Sequence, residues 1–269
     1  MRKDINPLII IATPNICWLK PEVPYPHTAV EIAQETKLCR DNGASVLHIH
    51  GEGQWVEVLS EVRKCTDILI QSGMSSIPLN ERIDLFLQKS EMVSVILNHH
   101  SEAFTEVNCD MLHPLAELEE YASACRKYGV KPEFEVWHAG SIWNLNKLIE
   151  KELIDAPYIN TMFFGWNGGT WSPPTIDEYL HRRKQMPENC AVAVSIMGEE
   201  QIDILVAAII NGDNVRVGTE DYPYNRQGKL CQTHELVKEI ADISGMLGRK
   251  IATPAQARKI LGLKETIDE

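Results

Sequence analysis

Eight times along this chain a short apolar run rich in β-branched residues gives way to a longer stretch with helical spacing, and this alternation restricts the fold more than any other feature. The runs are Leu8–Ala12, Ser45–His50, Asp67–Gln71, Met92–Leu97, Pro132–Trp137, Tyr158–Phe164, Ala191–Ile196 and Asn214–Gly218. Helical patterns fall at 28–42, 55–65, 79–89, 115–128, 141–154, 175–185 and 200–211, with a last long one at 229–247. Strands joined by helices run parallel, because the crossover carries the chain back to the end where the previous strand began. A doubly wound open sheet shares much of this pattern. The count of eight favours a closed α/β architecture, the (β/α)8 TIM barrel, and a length of 269 residues matches the usual size of that fold. No proline-rich linker, charge block or low-complexity tract interrupts the pattern, so one domain over 1–269 is expected.

Local signals agree with this frame. From Thr28 to Asn42, Val30, Ile32, Ala33, Leu38 and Cys39 are read as one helical stripe packed on the barrel wall, with Gly43 as the stop. Thr253-Pro254 opens a short terminal helix, threonine at the cap and proline in the first turn.

Charge and cysteine usage exclude several functions. A formal charge of −12 repels nucleic acid and anionic membrane surfaces, and an anionic small substrate would need a local positive centre. The seven cysteines never form a CxxC pair and read as reduced thiols in a cytoplasm. Leu8–Ala12 is too short for a signal-peptide core, and no segment approaches 18 consecutive apolar residues, so neither export nor membrane anchoring is expected. There is no strand–GxGxxG–helix unit and no GxxxxGK[ST], which leaves dinucleotide and P-loop nucleotide sites without support.

The chemistry gathers at strand ends. In Val46-Leu47-His48-Ile49-His50 the two imidazoles are two residues apart, so on a strand they share one face while Leu47 and Ile49 turn to the helices. Two neutral imidazoles at the C-terminal end of a barrel strand can share a metal ion; two hydrogen-bonded histidines are the alternative. The eighth run closes Val215-Arg216-Val217-Gly218-Thr219-Glu220-Asp221. Glu220 could complete a two-histidine, one-carboxylate ligand set, which leaves Asp221 as a candidate base. Arg216, on an inner face, needs an anion, and Asp221 or a bound substrate could supply it. Glu135, between Phe134 and Val136, should point into the barrel. Ser72 and Gly73 after the third run and Ser101 after the fourth are small loop residues at the face where barrels bind ligands. His99 and His100 are consecutive and should diverge; His138 could serve as a supporting or substrate-contacting group. His27, His113, His181 and His234 are read as solvated, and Trp166-Asn167-Gly168-Gly169 as a tight loop that lets backbone approach a ligand.

With HIH at the second run, EFEVWHAG at the fifth and VRVGTED at the eighth, the chain resembles the beta-keto acid cleavage enzyme family over nearly its whole length. The likeness extends to Ile10, Ala12 and Thr13, to Gly43-Ala44-Ser45, to Ile70-Gln71, to Asn167-Gly168-Gly169, and to Gly248-Arg249-Lys250-Ile251-Ala252-Thr253-Pro254. The resemblance implies a zinc-containing barrel, usually a homo-oligomer (dimer or tetramer), that converts a β-keto acid and acetyl-CoA into acetoacetate and a new acyl-CoA. It places His48, His50 and Glu220 on the Zn2+ ligands, Arg216 and Asp221 on the pair that moves a proton, Glu135 on the strand-five glutamate, and Ser72 and Ser101 on the hydroxyls that hold substrate. The chain departs from the family at Asn15-Ile16-Cys17-Trp18-Leu19-Lys20, at Gly51-Glu52-Gly53-Gln54, at Ser72-Gly73-Met74-Ser75 and at Glu199-Glu200. These loops shape the substrate pocket. Two other readings stay open: a metal-dependent lyase or hydrolase acting without CoA, and a non-catalytic barrel that senses a keto acid or acyl-CoA. An amidohydrolase would want HxH after the first strand and further histidines from the middle strands, and strands five and six supply none.

Overall fold

In the computed structural model, which describes residues 5–18, 22–51, 53–73, 79–88, 90–101, 110–166 and 172–264, all eight apolar runs become strands of one barrel. They are β1 (Ile10–Ala12), β2 (Val46–Ile49), β3 (Leu69–Ser72), β4 (Met92–Ile96), β7 (Lys131–Val136), β8 (Tyr158–Phe164), β9 (Cys190–Ile196) and β10 (Asn214–Val217). Two strands that the alternation does not reveal, β5 (His99–Ser101) and β6 (Asp110–Leu112), pair antiparallel as a ribbon outside the barrel. Around the barrel the order is β1-β10-β9-β8-β7-β4-β3-β2, every neighbour parallel, and β1 closes the ring against β2.

Helices α1 (Ala29–Asp41), α2 (Trp55–Cys65), α3 (Leu79–Leu87), α4 (Leu115–Tyr128), α5 (Ala139–Glu150), α6 (Ile176–Gln185), α7 (Gln201–Asn211) and α8 (Thr233–Met246) fill the intervals, and α9 (Pro254–Ile260) follows. Thr28 and Thr253 each cap a helix in a reciprocal capping box, with Glu31 and Gln256 as partners. Two boundaries differ from expectation for local reasons. Helix α5 starts at Ala139 because the His138 side chain accepts the Gly140 N–H and caps it. Helix α8 starts only at Thr233 because the preceding residues form a turn held by a Tyr224–Leu230 bridge.

Strand alternation sorts side chains into two apolar regions. Leu47, Ile49, Val95, Phe134, Val136, Met162, Phe164, Val194, Val215 and Val217 belong to the core between barrel and helices. Ile9, Ile11, Val46, Leu69, Met92, Ile159 and Ala193 fill the lower barrel, plugged by Ala257 and Leu261. Each large side chain buried this way contributes about 1.5–3 kcal/mol before the entropy of ordering it. The stripe expected on α1 is rotated: Val30 and Leu38 are 54% and 44% exposed, while Ala29, Ile32, Ala33, Glu35, Thr36 and Cys39 are buried. Helix α1 lies between α2 and α8, and this groove also buries Glu35, whose carboxylate meets His234 Nδ1 at 2.9 Å. The six described cysteines are free thiols; Cys109 lies outside the described residues. No helix among the described residues is long and apolar enough to cross a membrane.

Candidate metal centre and active site

Above the lower apolar layer the inward positions turn polar. On β2, Val46 closes the lower layer, His48 is the next inward residue, and His50 follows at the rim. His48 Nε2 and His50 Nε2 are 3.3 Å apart, and Glu220 Oε1 lies 3.6 Å from the first and 3.2 Å from the second. Ligands bound at 2.0–2.1 Å in a tetrahedron stand about 3.3 Å from one another, so this spacing fits three corners of a metal site. Glu220 Oε2 is buried with no hydrogen-bond partner. Burial, and then the Arg216 charge, lower the pKa of His48 to about 4, so its imidazole is neutral at pH 7, the form that donates a lone pair to a metal.

Two residues that sequence reasoning gave no such role set this geometry. Asn15 brackets His50: its Oδ1 accepts the His50 N–H at 3.1 Å and its amide donates to the His50 carbonyl. Gly73 lies against both rings. A Cβ there would overlap Nε2 and Cε1 of His48 and stand 3.0 Å from His50 Nε2, so only glycine lets the imidazoles converge.

On the opposite side of the triad a turn after β10 folds two carboxylates back over Arg216. Asp221 and Tyr222 both donate their N–H to the Gly218 carbonyl, and Glu220 donates its own to Thr13 across the barrel seam. Arg216 Nε then reaches Asp221 Oδ1 and Oδ2 at 3.1 and 3.2 Å, while Nη2 reaches Glu220 Oε1 at 2.6 Å and Asp221 Oδ1 at 2.9 Å. Burial opposes the Arg216 charge, but the two carboxylates outweigh it and keep the guanidinium protonated. Burial also works against ionised Glu220, yet Arg216, then His48 and His50, hold it well below the usual carboxylate range. Asp221 moves the other way, up to about 6: burial and the neighbouring Glu220 exceed the opposing pull of Arg216. One carboxylate is thus a firm anion, and the other is a proton acceptor poised near neutrality.

The third carboxylate, Glu135, is buried and accepts the Trp137 indole N–H at 2.9 Å. Directly below it on β7 is Glu133, fully buried beside the hydroxyls of Ser94 and Thr161. Burial, then Glu135, push Glu133 up to about 7. The period of two in Glu133-Phe134-Glu135 could have found it. The buried Arg182 of α6 donates to the carbonyls of Val136 at 3.1 Å and Phe163 at 2.7 Å, tying the ends of β7 and β8 together.

Other expected residues fall elsewhere. Ser72 is buried, but it pairs in register with Ile49 and follows Ile70 and Gln71 in strand alternation, which puts it on the helix-facing side. Ser101 lies on the β5–β6 ribbon, opposite Asp110. His99 also sits on that ribbon, 3.8 Å from Asp110, and its carbonyl faces His138 Nε2 at 3.1 Å. His113 is buried rather than solvated, because Nδ1 pairs with Glu117 Oε1 at 3.0 Å within one helical turn. His234, half-buried on Glu35, is likewise not simply solvated. The glycine loop 167–169 lies outside the described residues.

The family model described as beta-keto acid cleavage enzyme matches residues 7–263. The 3-keto-5-aminohexanoate cleavage enzyme of Acetoanaerobium sticklandii is 31% identical over 277 residues, covering 95% of this chain and 99% of that protein. The 3-dehydrocarnitine:acetyl-CoA trimethylamine transferase of Rhizobium meliloti is 30% identical over 146 residues, 54% of this chain and 48% of that protein. Among solved structures, apo ObcA superposes with a TM-score of 0.74 at 17% identity, over 89% of this chain and 65% of that one, a likeness of fold.

Proposed function

This chain belongs to the beta-keto acid cleavage enzyme family, and on that premise we propose that it converts a β-keto acid and acetyl-CoA into acetoacetate and a new acyl-CoA, using zinc held by His48, His50 and Glu220. The observation that carries the reading is the convergence of those three donor atoms, all within 4.8 Å of one another, beside the Arg216–Asp221 pair at the C-terminal face of the barrel. A divalent ion in that donor set supplies Lewis-acid stabilisation of the negative charge that builds on oxygen when the carbon beside a carbonyl loses a proton.

The chain's own groups account for the remaining steps. Asp221 takes a proton from the carbon between the keto and carboxylate groups, and Arg216 holds the Asp221 carboxylate in place through Nε and Nη2. That carbon attacks the acetyl carbonyl, and CoA leaves as the thiolate. The thiolate then attacks the original keto carbonyl and breaks its bond to the central carbon. Asp221 returns the proton, and the products are acetoacetate and the new acyl-CoA. No cysteine nucleophile is needed. A dimer or tetramer in the cytoplasm is part of the same proposal.

The test is metal content measured together with CoA-dependent acetoacetate formation, on protein purified without chelator. About one zinc per chain with acetoacetate release is expected. Bound metal with turnover that needs no acetyl-CoA would replace this reading with a CoA-independent lyase or hydrolase, and tight binding of a keto acid without turnover would replace it with a sensor.

Gly73 offers a check on the site's geometry. In Gly73→Ala the new methyl group displaces His48 and His50, so zinc affinity, measured by competition with a chelator, should fall by roughly 10- to 100-fold, the range found when ligand-supporting groups are lost. Unchanged affinity would mean that the imidazoles do not bind metal in the arrangement described.

A further inference from the structure

Resting on the proposed reaction, we infer that the acyl group transferred here is an uncharged hydrocarbon chain, received by an aromatic wall of Trp18, Trp137, Phe163, Trp166 and Met197. Trp137, Phe163, Trp166, Met197 and Ile96 form an apolar cluster of their own, separate from the two core regions, with Trp18 packed against it. Their strand neighbours Leu97, Val136, Phe164 and Ile196 belong to the helix-side core, so alternation turns this cluster to the inside of the barrel mouth. It stands at the ends of β4, β7, β8 and β9, whereas the donor triad comes from β2 and the turn after β10. A keto acid gripped at the triad therefore meets this wall with the rest of its chain.

The wall borders the polar site at three points. Trp137 donates to Glu135, the Arg216 guanidinium carbon lies 5.1 Å from the Phe163 ring centre, and Trp18 meets His50 edge-on at 6.1 Å. Trp18 is delivered by Ile16, whose φ of 82° is a left-handed conformation that β-branched residues rarely adopt. Strain of this kind persists where the surrounding structure requires it.

Charge decides between tail chemistries. Arg216 is already engaged by Glu220 and Asp221, and the polar residue after β1, Asn15, is committed to His50 on both sides. A carboxylate-ended tail would be stripped of water beside Glu135, and the two described cations in electrostatic reach of Glu135 are engaged elsewhere, Arg216 by Glu220 and Asp221 and Arg82 by the Ser94 carbonyl and the Tyr121 ring. An ammonium or trimethylammonium tail would need a carboxylate free to pair with it or open aromatic faces, and Glu135 already accepts the Trp137 indole N–H. Trp137 and Phe163 instead stack on each other at 4.2 Å with an 11° tilt, and Phe163 also faces the Arg216 cation. An alkyl tail meets none of these penalties.

The experiment uses the zinc-loaded wild-type enzyme, acetyl-CoA and four 3-oxo acids of matched length ending in methyl, ammonium, trimethylammonium or carboxylate, with kcat/KM read from acetoacetate release. The methyl-ended acid should exceed each charged one by at least roughly tenfold. Lengthening its tail one methylene at a time should raise kcat/KM about fourfold per step until the wall is filled. A charged acid that equals or surpasses the methyl-ended one, or a flat chain-length series, would overturn the inference and leave the proposed reaction standing. Acetoacetate from none of the acids would overturn the reaction itself, and the inference with it.

Discussion

The Asp221→Asn protein should bind metal like the wild type and form acetoacetate some 10²–10⁴ times more slowly, the usual span for losing a positioned general base. Asparagine matches aspartate in shape and keeps one oxygen acceptor for Arg216, which now lies 3.1 and 3.2 Å from the two carboxylate oxygens through Nε. What it removes is the ability to take a proton. Burial and the adjacent Glu220 bring Asp221 up to about 6, so it is ionised near neutral pH and still basic enough to act there. The measurements are elemental analysis, a thermal melt and the rate of acetoacetate release. A near wild-type rate would assign proton removal to another group. Intact metal content with an unchanged melt separates a chemical loss from a folding defect, because leaving a buried arginine short of a partner can cost about 3–5 kcal/mol.

His48→Ala should lose metal and activity together. His48 is the deepest of the three donors, 2% exposed, and its Nε2 stands within 3.6 Å of both other donor atoms. Alanine leaves one imidazole and one carboxylate, and that carboxylate is already bound to Arg216 at 2.6 Å. A Lewis acid contributes several kcal/mol to stabilising developing charge. At about 1.4 kcal/mol per factor of ten, its loss lowers turnover on the order of 10³-fold. Zinc content and acetoacetate formation, assayed on the same preparation, are the readouts. A His48→Ala protein that kept both would sink the ligand assignment, and one that lost zinc but kept its rate would remove metal from the reaction.

Much of this site is legible in the linear sequence because strand periodicity carries direction. His48 and His50, two apart between Leu47 and Ile49, have to share a face, and the structure brings their Nε2 atoms to 3.3 Å. Glu135 between Phe134 and Val136 follows the same rule, and so does Glu133 once the period is carried one step back. Ser72 shows the limit. It reads as a polar loop residue, yet one more residue of β3 puts it in register with Ile49 on the helix side, because a shift of one exchanges the faces of a strand. The α1 stripe misplaces Val30 and Leu38 for a related reason: apolar spacing marks a face but not which neighbours cover it, and the groove between α2 and α8 also buries a glutamate paired with a histidine.

By itself, then, the sequence determined the barrel, the order of its strands and the inward histidines and Glu135, because these follow from local periodicity and from the short reach of each βα unit. Only the tertiary structure decided that Glu220, 170 residues from His50, comes within 3.2 Å of it, that Gly73 makes room for both rings, and that Asn15 holds the His50 backbone. The first contact crosses the barrel seam and the other two join β2 to its neighbours β3 and β1, and no local pattern encodes them. The opposite shifts of Glu220 and Asp221 belong to the same class: adjacent in the chain and both buried, they differ because Arg216, His48 and His50 together outweigh burial at the first, whereas burial and Glu220 outweigh Arg216 at the second.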